Sequence, residues 1–267
     1  MRDHVIAVDV GTASVRAGLF DRAGAMLARK THPLMLRRPA ARRGEYASED
    51  IWQATCTAVK ATVEASGIAA DRVAGIAFGA TCSLVLRDRE GRPLPLAEDE
   101  GRAFDTIAWF DHRAGSEAAE LTATGDAAVR HSGGSVSPEM QFPKLLWLKR
   151  NRPELWHKAG LFFDLADFLT FRASGNSARS LSTLTAKWFY RPDRSSPEPA
   201  DLMGQMGLCA LAEKAGFSGA VLSPGDAAGT LSAAAADALG LDTTVTVAAG
   251  LIDAYAGALG ALPPPAA

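Results

Sequence analysis

Cysteine is scarce in this sequence. Only Cys56, Cys82 and Cys209 occur, with no CxxC pair and no spacing that suits a metal ion. An odd, low count in a chain of 267 residues argues against a disulfide framework and for a reducing compartment, so a cytoplasmic location is expected. Long apolar runs are also missing. Val5 to Val8 is interrupted at once by Asp9, and the alanine-rich stretch Leu231 to Leu241 carries Asp237 and is too short to span a bilayer. Nor is there an excess of charge of one sign: the formal net charge is −2. Neither nucleic acid nor an acidic membrane surface is therefore expected as a partner. No GxxxxGK[ST] sequence occurs, which excludes a P-loop, and His112, His131 and His157 show no mutual metal-site spacing. What is present is an ordinary globular composition, 48% hydrophobic and 22% charged, long enough to bury a substantial core.

The first forty residues read as strands. His4 to Val10 and Val15 to Phe20 flank a turn at Gly11-Thr12-Ala13-Ser14, and a hairpin turn at Asp21 to Gly24 leads to a third strand over Ala25 to Met35. Ser48-Glu49-Asp50 has the character of a helix start with Ser48 as N-cap. Ile51, Trp52, Cys56, Val59 and Val63 follow at helical spacing up to Gly67. Val73 to Phe78 reads as a buried strand ending in a turn at Gly79-Ala80-Thr81, and Leu84 to Leu86 as another. Helices are expected behind Pro143 and over Asp164 to Phe171, and a surface loop over residues 191 to 200. Thr244 to Ala249 reads as a strand, Gly250 as a turn and Ile252 to Leu259 as a helix. This order predicts an α/β fold, a mixed sheet with helices on its faces.

Five constellations carry chemistry. In Asp9-Val10-Gly11-Thr12-Ala13-Ser14, with Arg16 beyond, a strand-end carboxylate beside a Gly-Thr turn suits a magnesium nucleotide. Asp9 would hold the metal through water, while turn N–H groups and the Thr12 and Ser14 hydroxyls would meet phosphate oxygens. The same residues also make a plain hairpin turn. In Gly250 to Gly257, Asp253 stands at a helix start, where it can take a proton from an alcohol or merely interact with exposed backbone N–H groups. Trp109-Phe110-Asp111-His112-Arg113 offers an indole to stack on a sugar and ionic groups for its hydroxyls. Glu139, just ahead of a helix, and Lys187-Trp188, after the hydroxyl-rich Ser180 to Thr183, complete the set. For each of these three taken alone, a solvated charge or a surface cap is the commoner explanation.

Taken in order along the chain, these segments resemble the FGGY family of carbohydrate kinases. Asp9-Val10-Gly11-Thr12 is similar to that family's first phosphate motif. Thr81-Cys82-Ser83, Trp109 to Arg113, Lys144 to Lys149 and Ala178-Arg179-Ser180 through Lys187-Trp188 resemble its ribulokinase-type branch, and Gly250 to Gly257 the segment bearing its catalytic aspartate. The resemblance implies an actin/hexokinase-like, ribonuclease H-like fold and ATP-dependent phosphorylation of a pentulose or pentitol to its 5-phosphate, with ATP and Mg²⁺ as cofactors. It makes Asp253 the general base. It places Thr81, Trp109, Asp111, Glu139 and Lys187, with Arg113 near them, at the sugar. Asp9, Gly11, Thr12, Ser14 and Arg16 fall at the nucleotide, with Asp9 near the metal. Gly79 departs from the pattern, since relatives of this branch often carry Asp there.

The resemblance further implies that residues 1–262 form the N-terminal kinase domain, that 263–267 are a linker or cut end, and that a C-terminal domain supplying the adenosine pocket is absent. A small-molecule sugar or polyol and that missing domain are the expected partners, and a homodimer is left open. A non-catalytic sugar-binding domain and an inactive truncated remnant are the competing functions, and little turnover is expected of the isolated chain.

Overall fold

In the computed structural model, which describes residues 2–262, alternation of apolar side chains fixes a large sheet. In β1 (His4–Val10), Ile6, Val8 and Val10 are buried, whereas Val5, Ala7 and Asp9 face the other way. β2 (Ser14–Phe20) and β3 (Met26–Pro33) continue it as an antiparallel meander. The hairpin turn is held by Asp21, whose Oδ1 accepts from Ala23 N and Ala25 N at 2.9 Å each. After β4 (Glu45–Tyr46) comes α1 (Ser48–Ser66), which ends at Gly67 in the left-handed conformation with φ 67°. The expected cap is different. Ala47 is the N-cap, and Ser48 Oγ donates instead to Asp105 Oδ2 at 2.6 Å.

β5 (Val73–Ala80) runs parallel to β1 and through the expected turn, because Gly79 and Ala80 pair with Asp9 and Val10. There follow β6 (Leu84–Asp88), β7 (Ala97–Asp99), β8 (Arg102–Phe104), β9 (Thr106–Ile107), α2 (Gly115–Ala123), α3 (Ala127–His131), α4 (Gln141–Asn151) and α5 (Pro153–Lys158). β10 (Ala159–Asp164) and α6 (Leu165–Ser174) lead to β11 (Arg179–Ser180), α7 (Leu181–Lys187), α8 (Ala200–Gln205) and α9 (Leu211–Lys214). The chain closes with β12 (Val221–Leu222), β13 (Ala227–Thr230), α10 (Ala233–Leu239), β14 (Thr246–Ala248), β15 (Leu251–Ile252) and α11 (Asp253–Ala261). The expected linker at 263–267 lies outside the described residues.

The large sheet has the order β13-β14-β5-β1-β2-β3, with β15 also on β5. Helices α1, α6 and α10 pack together over its buried face, with Trp52, Val59, Phe168 and Leu239 in that core. The sequence suggested helices on both faces. Among the described residues the other face is left largely open, and Val5 is 48% exposed there. A second sheet, β10-β6-β9-β4, anchors a separate core in which Leu86, Ile107, Phe142, Leu145, Phe162 and Trp188 meet.

One irregularity positions the end of the chain. β14 pairs Val247 with Ile76 and β15 pairs Leu251 with Gly79, so one extra residue is inserted between them, as in a bulge. The backbone there passes close to α6: a Cβ added to Gly250 would lie 2.8 Å from the Ala166 carbonyl oxygen. Gly250→Ala should therefore destabilise the fold by about 1–3 kcal/mol through forced backbone movement. An unchanged denaturant midpoint would show that the bulge has room to yield.

Candidate active site

The turn after β1 is pinned at Thr12 from two directions. Its Oγ1 accepts from Trp109 Nε1 at 2.9 Å, and its carbonyl accepts from Tyr46 Oη at 2.8 Å. Beside it the end of β5 is tied to the same turn, with Thr81 N donating to Val10 O at 3.1 Å. Ser83 Oγ accepts from Trp109 N at 3.2 Å, and the same oxygen lies 3.2 Å from Thr81 Oγ1. Trp109 is also held from below. Lys144 Nζ, fully buried, donates to Ala108 O at 3.0 Å and to Trp109 O at 3.2 Å. Burial pushes the Lys144 ammonium down to about 8, against the pull of the Asp111 and Asp164 carboxylates.

Lys187 is the last residue of α7. The helix is anchored at its start, where Asp167 accepts from Ser180 N at 2.9 Å and from Thr183 Oγ1 at 2.7 Å. Ser182 Oγ accepts from Ile252 N at 3.4 Å, linking α7 to the segment that carries Asp253. Asp253 opens α11, and its Oδ1 accepts from Ala254 N at 2.8 Å. Its carboxyl is held above the ordinary carboxylate range, first by partial burial and also by the nearby Asp9 charge, while the Ala254 hydrogen bond and Lys187 act the other way.

These elements enclose a cavity of about 420 Å³ lined by Gly11, Thr12, Thr81, Trp109, Glu139, Lys187 and Asp253, together with Cys82 and Tyr255. A second cavity of about 660 Å³ opens on the uncovered sheet face, lined by Asp9, Arg16, Gly79 and Asp253 among mostly apolar side chains. Asp253 borders both. Arg16 Nη1 donates to Asp9 Oδ2 at 2.7 Å. Asp9 and Asp253 are thus two carboxylates on one cavity. That suits Mg²⁺, which keeps several waters and needs only one or two protein carboxylates besides phosphate oxygens. Among the described residues no group of three or more His, Cys, Asp or Glu forms a closed metal cage.

Three expectations change, those for Asp111, Arg113 and Ser14. Asp111 does not reach the cavity: it is fully buried and accepts from Gly44 N at 2.8 Å and from Arg113 Nε at 2.9 Å and Nη2 at 2.8 Å. Burial by itself would raise its carboxyl, but the Arg113 hydrogen bonds and charge hold it below the usual range. Arg113 is spent on the same network, bridging Asp111 and Glu45. Ser14 lines neither cavity, and its carbonyl accepts from Gly11 N at 3.1 Å. Gly79 belongs to the second cavity rather than to the one with Glu139 and Lys187. The sequence reading did not single out Tyr255, Tyr46 or the supporting role of Lys144. Tyr255 stands two residues past Asp253 on the same helix, and that proximity was the one available signal.

Comparison with known proteins agrees with this geometry. The N-terminal domain of the FGGY family of carbohydrate kinases matches residues 4–260. An FGGY carbohydrate kinase domain-containing protein of Homo sapiens is 41% identical over 97% of this chain and 47% of its own length. A D-ribulokinase of Saccharomyces cerevisiae is 34% identical over 96% of this chain and 38% of its own length. Among solved structures, a xylulose kinase from Brucella ovis superposes with a TM-score of 0.80 at 26% identity, covering 95% of this chain and 49% of that one. A xylulose kinase from Rhodospirillum rubrum superposes at 0.81 and 22% identity, covering 98% and 51%, which bears on the fold alone. The chain spans about half the length of the curated relatives it matches. With its actin/hexokinase-like sheet and a match running from residue 4 to residue 260, the chain belongs to the FGGY family of carbohydrate kinases.

Proposed function

We propose that this chain supplies the sugar site and general base of an ATP-dependent kinase that phosphorylates the terminal hydroxyl of a pentulose or pentitol, giving the 5-phosphate. The observation that carries the reading is the meeting of Trp109, Glu139, Lys187 and Asp253, drawn from four distant segments, on one cavity of about 420 Å³. That volume falls in the range of small-ligand sites. Trp109 offers an apolar face, Glu139 accepts hydroxyl hydrogens and Lys187 donates to sugar oxygens. The likeness to a protein named D-ribulokinase supports a five-carbon substrate.

Asp253 lies where the two cavities meet, so a hydroxyl in the first would face a phosphate in the second. Its carboxylate would take the proton as the alcohol oxygen attacks in line, and the phosphoryl group would pass to that oxygen with ADP leaving. Mg²⁺, held near Asp9 and Asp253, would neutralise charge on the phosphates. The Gly11-Thr12 turn offers further hydrogen bonds. A second domain, of the kind that makes up the rest of the relatives' length, would supply the adenosine pocket and close over the sugar. The competing reading is a domain that binds the sugar without turnover.

Calorimetry of the chain with D-ribulose, L-ribulose, ribitol and xylulose tests the sugar site. One of the four should bind, and Lys187→Met should weaken it roughly 10- to 100-fold, the worth of a hydrogen bond to a charged group. A folded sample giving no heat with any of them sinks the proposal. Sugar bound, but no phosphorylation once a second domain is added, would leave the binding-only reading.

A further inference from the structure

Glu139 does not stand alone at the rim of the sugar cavity. His112 Nε2 lies 3.1 Å from Glu139 Oε1, and the other ring nitrogen, Nδ1, meets the Arg42 guanidinium through Nη2. The backbones are tied as well, with His112 N donating to Arg42 O at 2.9 Å. Arg42 comes from the loop between β3 and β4 and holds a left-handed backbone, φ 57°, which is uncommon for a side-chain-bearing residue. Three segments far apart in sequence, around residues 42, 112 and 139, therefore converge on one line of hydrogen bonds.

The chemistry of the three groups fixes the direction of that line. A guanidinium only donates, so Nδ1 facing Arg42 must be the bare, accepting nitrogen of the ring. The neutral imidazole then carries its hydrogen on Nε2, aimed at Glu139 Oε1. The carboxylate can only accept, so one of its two oxygens is occupied by a fixed donor. Glu139 itself lines the cavity.

We infer that Arg42 and His112 form a positioning relay that orients Glu139 and leaves its second oxygen to accept a hydroxyl hydrogen of the sugar. The inference rests on the proposed sugar site. It adds a selectivity rule: the substrate must present a hydroxyl, a donor, at this point, and a carbonyl oxygen placed there would face a carboxylate with nothing to donate. His112 touches no reacting atom, so its effect should fall on sugar binding rather than on the chemical step.

Two measurements on this chain test it. With ¹⁵N-labelled histidine, long-range proton–nitrogen correlation should show His112 with a hydrogen on Nε2 and a bare Nδ1, assigned by the signals lost in His112→Gln. In calorimetry with the pentulose or pentitol that binds, His112→Ala should weaken affinity roughly tenfold. His112→Gln, whose amide nitrogen reaches the position of Nε2, should restore most of it. Arg42→Met should weaken binding and mix the two tautomers while leaving Glu139 untouched. A hydrogen on Nδ1 in the unmodified chain overturns the relay even if sugar binds. Equal losses in His112→Ala and His112→Gln, both folded, overturn it too. No binding of any of the four sugars overturns the sugar reading, and with it the role given to the free Glu139 oxygen, whichever tautomer is seen.

Discussion

Asp253→Asn should lower turnover by roughly 10²- to 10⁴-fold once the chain is assayed together with a second domain of the family, with sugar affinity nearly unchanged. The substitution keeps the size of the side chain and an oxygen that can accept a hydrogen bond. It removes the one property that general-base catalysis needs, a site that accepts a proton. Position supports the role: Asp253 borders both the cavity with Trp109, Glu139 and Lys187 and the cavity with Asp9. Its environment supports it as well, since partial burial and the Asp9 charge raise its carboxyl above the ordinary range and make it a better proton acceptor when ionised. The base must be ionised to act, so kcat/KM should rise with pH as Asp253 loses its proton. Turnover of the Asn variant within a few-fold of the parent would remove Asp253 from the role. A large loss of sugar affinity with kcat intact would recast it as a binding group.

Some of this site could be read from the sequence because it depends on local pattern. The alternation in His4 to Val10, the Gly-Thr turn and the acidic residue opening the last helix are each set within a few residues, and β1, β2 and α11 appear where that pattern puts them. The ordered motifs then carried the family, and with it the grouping of Trp109, Glu139 and Lys187. What could not be read depends on partners far along the chain. Trp109 and Asp111 are two residues apart, yet the indole faces the cavity while the carboxylate turns inward to Gly44 and Arg113, because Arg113 is itself drawn to the buried Glu45. Nothing near residue 111 announces a partner some sixty-seven positions earlier. Ser48 shows the same effect: a sound local cap signal loses to Asp105, with which it is buried. The second sheet was hidden because β4 and β9 are two residues each, too short for any alternation to show.

Asp164→Asn should stabilise the protein more at pH 8 than at pH 5. Asp164 ends β10 fully buried, and its Oδ2 accepts from Gln141 Nε2 at 2.8 Å. Its Oδ1 and the amide oxygen of Gln141 are both buried without a hydrogen-bond partner among the described residues. A proton on Oδ1 would remove a buried charge and turn an unpartnered acceptor into a donor. The electrostatics agree. Burial first, and then the neighbouring Asp167 carboxylate, push Asp164 up to about 7, with Gln141, Lys144 and Lys187 pulling the other way. A carboxyl raised in the folded state contributes its full stability below the unfolded value of 3.8 and loses it as pH climbs through about 7. That span corresponds to roughly 4 kcal/mol at most. An asparagine carries no charge at any pH, so it removes the loss. The attraction of the buried Lys144 ammonium is already part of that balance, and relaxation around the charge leaves a gain of about 1–3 kcal/mol at pH 8. Denaturant unfolding at pH 5 and pH 8 measures the difference, and an equal gain at both, or a loss at pH 8, would show that Asp164 is already ionised in the fold. The pair also bears on the site, because Gln141 Nε2 donates to the carbonyl of Cys82 at 3.1 Å and Cys82 lines the cavity shared by Trp109, Glu139 and Lys187. Holding Asp164 protonated therefore keeps one wall of that cavity fixed, and the asparagine variant should keep it fixed at a pH where the parent begins to loosen.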